Sequence, residues 1–149
     1  YNSLFNVAPP LRSERDREAL LAAVQAGELA ISSNHRPHEI AAKKAPFSDA
    51  ESGMSQYDAF LPNAMSLVQR GELTAEQLIR ALTAVPASVL NLEHGLREGA
   101  DFNAVLFDPE SEHTLTATDI ASGGRNHPLL NQSIQGKVTH VFLEGRRIH

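Results

Sequence analysis

The chain contains no cysteine, which excludes disulfides, thiolate metal sites and a cysteine nucleophile at once. No apolar run approaches the ~18 residues that a membrane-spanning helix needs, and no signal-like segment opens the chain. Positive charge is also short: 13 Lys and Arg stand against 18 Asp and Glu, for a net charge of -5. That balance gives no footing to nucleic acid or an anionic membrane as a partner. A cytoplasmic setting is the resulting expectation. What is present, 42% hydrophobic and 21% charged over 149 residues, is the composition of a globular protein with one domain or a domain plus an appendage. Tyr1 falls inside an apolar segment, so the chain is expected to be part of something longer.

Tyr1 to Val7 reads as a strand or its end, stopped by Pro9-Pro10, which remove ladder donors. Ser13 with Asp16 three residues on forms a capping box, and Leu20, Leu21 and Val24 give the helix after it an apolar stripe that ends at Gly27. Leu29 to Ser33 is expected to be the next strand. Strand, crossover helix and strand predict a βαβ unit with two parallel strands in one sheet. Residues 35 to 56 show no period and form a loop of about twenty residues, a length that points to function. Tyr57 to Arg70 is helical, with Pro62 placing its true start near Phe60. Thr74 and Gln77 make a second capping box, and Pro86 opens a short helical turn through Leu90. Beyond Asn91 the pattern turns to strands: Ala104 to Phe107, bounded by Asp108-Pro109; a short piece at Thr114 to Thr116; and a hairpin about Glu144-Gly145 that begins at Val138.

The stretch Ile31-Ser32-Ser33-Asn34-His35-Arg36-Pro37-His38 is the most informative. An apolar run stops abruptly at polar and imidazole side chains, and the carboxyl ends of parallel strands are where chemistry is built. A carboxylate at position 34 binds a metal or takes a proton from water; an asparagine amide does neither well. Asn34 has a bland reading as well, as a strand-end residue bonded to the next loop. Strand alternation turns His35 away from the face that Asn34 serves, which leaves it a weak substitute base. His35 and His38 offer a second open reading, as a metal pair across a proline. His94, His113, His127, His140 and His149 are scattered and read as surface or domain-packing residues. Lys43-Lys44 reads as a solvated pair. Ser32 and Ser33 have no acid–histidine partner pattern, which argues against a serine nucleophile.

Six segments in register resemble the C-terminal third of the dihydroorotase family, cyclic amidohydrolases of the amidohydrolase superfamily. They are Ala8-Pro9-Pro10-Leu11-Arg12-Ser13; Asn34-His35-Arg36-Pro37-His38; Pro46-Phe47 with Gly53 and Leu61-Pro62; Gly95 to Asp101 with Val105 to Asp108; Ser122 to Leu129; and Gly136-Lys137-Val138. The resemblance covers nearly the whole chain. It implies an α/β fold: the last two βα units of a (β/α)8 TIM-type barrel, residues 1–90, plus the C-terminal part of a small β-rich composite domain, residues 91–149. The family's other metal-binding residues would lie upstream, so the resemblance implies no metal site in this chain, and zinc only in an active full-length relative.

The departures from the family matter most. Asn34 stands where the family has its catalytic, metal-binding aspartate, and loss of a general base costs roughly 10²–10⁴ in rate. Ala8 replaces an asparagine that contacts substrate, while His38 matches the histidine that holds the substrate carboxylate. Gln56 and Asp58 replace a glycine and a glutamate. The resemblance therefore implies no catalytic residue in this chain and a vestigial substrate site at His38 and Ala8, closest to the non-catalytic relatives that partner aspartate carbamoyltransferase. The N-terminal remainder of the same protein is the other expected partner. Two alternatives stand beside this reading: a working zinc amidohydrolase acting on dihydroorotate, and an isolated β-rich interaction module.

Overall fold

The computed structural model describes residues 1–149. Four α-helices precede a three-stranded antiparallel sheet: α1 (Glu14–Ala26), α2 (Phe60–Gln69), α3 (Ala75–Leu82), α4 (Ala84–Leu90), β1 (Ala104–Thr114), β2 (Ser133–Leu143) and β3 (Arg146–Arg147), in sheet order β1-β2-β3.

The capped helix signals in the sequence hold because they are local; Pro86, expected to open the last helix, instead lies in the first turn of α4, which starts at Ala84. Ser13 and Asp16 cap α1 reciprocally, and Gly27, in the left-handed conformation, ends it. Thr74 and Gln77 do the same for the start of α3. A single 3-10 turn, Tyr57–Ala59, leads into α2 at Phe60, so Pro62 falls in the first turn, where its missing N–H costs nothing. α1, α2 and α3 close over Val24, Ala64, Leu73, Leu78 and Ala81, with Leu29 and Ile31 packed against that core.

The expected parallel strands do not form. Residues Ser3–Phe5 make a 3-10 turn, capped by the Asn2 side chain. Leu29 to Ser33 joins no ladder; the Ile31 N–H donates instead to the Ala81 carbonyl at the end of α3, 3.1 Å away. A strand is defined by a lateral partner, and within this chain both segments spend their polar groups on helices and loops. The sheet that does form is antiparallel and lies entirely in the C-terminal half.

There the expected pieces fuse. Ala104 to Phe107 and the piece at Thr114 belong to one strand, β1, interrupted by a register shift between Asp108 and Glu112. Pro109 falls inside the shift on an edge strand, the place where a residue without N–H is tolerated. The hairpin about Glu144-Gly145 forms as expected, both residues at positive φ (49° and 76°), the combination that a two-residue hairpin turn requires. A second core of Leu115, Ile120 and Ile134 takes in Ala59, so the segment leading into α2 is sealed against the β module.

Candidate functional site

Three segments converge where the sequence placed its candidate chemistry: residues 6–8, the loop 34–56, and residues 122–127. Asn34 adopts a left-handed conformation with φ 45°, which asparagine tolerates better than most residues. Its Nδ2 donates to the Ala8 carbonyl at 3.0 Å. Ala8 thus contributes its backbone, and Asn34 acts as a hydrogen-bond donor, a role closed to an ionised aspartate.

His35 packs its ring flat on Tyr57, with centroids 3.9 Å apart. Its Nδ1 accepts the N–H groups of Gln56 (2.9 Å) and Tyr57 (3.2 Å), so the ring proton sits on Nε2, which faces the Ser122 hydroxyl at 3.5 Å. The lone pair a base would use is already committed. His38 is held at both ends: its N–H donates to Asn126 Oδ1 at 2.7 Å, and its Nε2 donates to the Ser52 carbonyl at 3.0 Å. The two rings are fastened separately, His35 to residues 56, 57 and 122 and His38 to residue 52.

Residues 35 to 56 are an ordered strap. Asn6 is one hub: its Nδ2 donates to the carbonyls of Phe47 (2.8 Å) and Ala50 (2.9 Å), and its own carbonyl accepts from the Gly53 N–H (3.0 Å). Lys43 is the other. Far from being solvated, it is 5% exposed, and its ammonium donates to the carbonyls of Asn6 and Glu51. The Ser3 hydroxyl donates to the Lys43 carbonyl. Burial lowers the Lys43 pKa from its ordinary value, against an opposing pull from the Glu51 carboxylate. Lys44, next to it, is exposed as expected. Replacing Lys43 by methionine is expected to cost about 1–3 kcal/mol in urea unfolding, because the Glu51 carbonyl loses its donor while that of Asn6 keeps Gly53.

The β module closes the strap. Asn126, 1% exposed, accepts from the His38 N–H through Oδ1 and donates to the Gly53 carbonyl through Nδ2 at 3.1 Å. A methyl group on Gly124 would lie 2.5 Å from the His38 nitrogen and 2.7 Å from its carbonyl oxygen; only a bare Cα allows this approach. Sequence reasoning missed Asn6, Lys43 and Asn126 as organisers of the site. The available signal was the Ser122 to Asn126 segment, whose small and amide residues suit close backbone approach.

A hollow of 250 Å³ opens beside the 31–33 segment, lined by Ser32, Ser33, Gln56, Phe60 and Asn63 among others. The larger groove, 730 Å³ between α2, α3 and β1, is walled mainly by Leu61, Met65, Ile79, Phe107 and Phe142 and carries no titratable side chain; chemistry does not belong there. No three His, Asp or Glu side chains gather anywhere in the chain as an ion site would need. With Asn34 neutral and the His35 Nδ1 lone pair spent on two backbone N–H groups, these residues do not offer the ligand set that the zinc implied for active relatives would need.

Helices packed over the 29–33 segment, followed by a small antiparallel sheet, make this an α/β protein. The model of the amidohydrolase family matches residues 6–148, and the chain belongs to that family. It is 40% identical over 151 residues to a dihydroorotase-like protein of Pseudomonas putida, covering 100% of this chain and 35% of that protein. It is 32% identical over 151 residues to a dihydroorotase of Syntrophus aciditrophicus, again covering 100% of this chain and 35% of the relative. The chain therefore spans 35% of the length of these curated relatives. A solved D-hydantoinase superposes with a TM-score of 0.82 at 21% identity, over 98% of this chain and 34% of that one. A dihydroorotase of Saccharomyces cerevisiae in complex with 5-fluoroorotic acid gives 0.72 at 16%, over 93% and 38%. These two likenesses show the fold.

Proposed function

We propose that this chain is the C-terminal segment of a dihydroorotase homologue of pyrimidine biosynthesis that is catalytically silent and serves as a structural partner of aspartate carbamoyltransferase. On this reading residues 1–90 are the end of its barrel and 91–149 its share of a small β domain. The observation that carries the silent reading is the bond from the Asn34 amide to the Ala8 carbonyl. Where a hydrolytic site of this family needs a negative charge to activate water, the chain has a neutral group spent on holding two loops together. A protein released from catalysis keeps its packed helices and outer surfaces, and with them any docking role.

The second reading, an active zinc-dependent dihydroorotase, draws on His38, which is held rigidly in the loop, and on relatives named dihydroorotase.

The deciding experiment is Asn34→Asp in the full protein, assayed for dihydroorotate hydrolysis alongside zinc analysis of the unmodified form. The expected result is no turnover above background and a stability loss of about 1 kcal/mol, because an aspartate oxygen would face the Ala8 carbonyl and lose the bond. Hydrolysis by the unmodified protein with stoichiometric zinc would overturn the silent reading. The assembly role has its own test: mixed with aspartate carbamoyltransferase, the protein should co-elute on a sizing column. Separate elution with unchanged transferase activity would end it.

A further inference from the structure

We propose that His127, sealed in the seam between the 115–134 segment of the β module and the residues leading into α2, is a proton-sensitive latch: its neutral ring holds the 127–129 turn of that segment and, through the adjoining Asn126, governs how firmly the His38 loop is held. This goes beyond the reading above and holds whether the protein is silent or active.

The junction is made of buried polar groups. Ser55 is 0%, Asn126 1% and His127 2% exposed. The two sides interlock: the Ser55 N–H donates to the Asn126 carbonyl at 3.4 Å, and Asp58 Oδ1 accepts the Ala121 N–H at 3.0 Å. His127 Nδ1 accepts the Leu129 N–H at 3.0 Å, so its single proton resides on Nε2. That nitrogen, Asp58 Oδ2 and the Ser55 hydroxyl are all buried without a hydrogen-bond partner. The node is therefore built for a neutral imidazole. A second proton must go to Nδ1, where it would confront the Leu129 N–H and break the bond that holds the ring.

Burial opposes that second proton and lowers the His127 pKa from its ordinary 6.5; the Asp58 carboxylate, the charged group acting on the ring, pulls the other way but less. The sign of the linkage follows. The unfolded or released segment takes up the proton at the ordinary value, the latched one at a lower value. The latch contributes fully above about pH 6.5, and its contribution shrinks as pH falls through the window between the ordinary and the lowered value. Asn126 adjoins His127 in the chain and carries the bonds to both His38 and Gly53, so release of the node loosens the strap at His38.

The test is hydrogen exchange on the full protein at about pH 7.5 and about pH 5.5, corrected for intrinsic exchange, with α3 as internal reference. Protection of residues 119–131 should fall on acidification by up to about tenfold per pH unit, the limit for one proton, while α3 changes little. His127→Gln should abolish the difference. Should that variant fail to fold, NMR titration of the unmodified protein decides: His127 should titrate below the ordinary imidazole value of 6.5. Titration of His127 at or above that ordinary value, a parallel loss of protection in α3, or an unchanged pH response in His127→Gln would overturn the latch.

Discussion

Gly124→Ala is expected to unseat the His38 loop and to destabilise the protein by about 3 kcal/mol, the upper end of what overpacking usually costs. The new methyl would meet the His38 nitrogen, the His38 carbonyl oxygen and the Pro37 side chain, all under 3 Å. Two of the three are backbone atoms and cannot rotate away. Relief requires the strap and the 122–127 segment to separate, and that breaks the pair of bonds through which Asn126 joins His38 to Gly53. The change should appear in two measurements at once: a lower urea midpoint, and faster amide exchange confined to residues 36–54 and 122–127. Normal protection in those segments, with native stability, would show that the close approach carries no weight.

Leu78→Ala should cost about 2–5 kcal/mol, the range for truncating a buried leucine, and its signature should be different. Leu78 is 0% exposed and lies in the core formed by α1, α2 and α3, which also receives Leu29 and Ile31. Truncation there loosens the bed on which the 29–33 segment rests, so exchange should rise across all three helices while the hairpin of β2 and β3 is spared. A small loss, under about 1 kcal/mol by urea titration, would mean that the helices collapse into the gap more readily than packed interiors normally allow.

The contrast between the two variants marks what was legible beforehand. Helix ends were, since a cap is written in three or four consecutive residues: Ser13 with Asp16, Thr74 with Gln77, Gly27 at a terminus. The hairpin at Glu144-Gly145 was legible for the same reason. That position 34 carries a neutral amide was visible too, because it needs only the residue type. Lys43 was misread as solvated: nothing local announces that Asn6 and Glu51 will bring their carbonyls to its ammonium. The strands expected at 1–7 and 29–33 failed for a related reason, as alternating apolar residues state a preference but supply no partner.

The order of residues alone thus determined the capped helix ends and the family, since each depends on neighbours within a few positions or on residue identities within short motifs. Tertiary structure decided the rest. It alone revealed that Asn34 donates to Ala8, that Asn126 grips His38 across 88 residues of chain, and that His127 is sealed in the junction. Such contacts join groups remote in sequence, and their energies depend on burial and on the direction of a lone pair, both of which exist only once the chain has closed on itself.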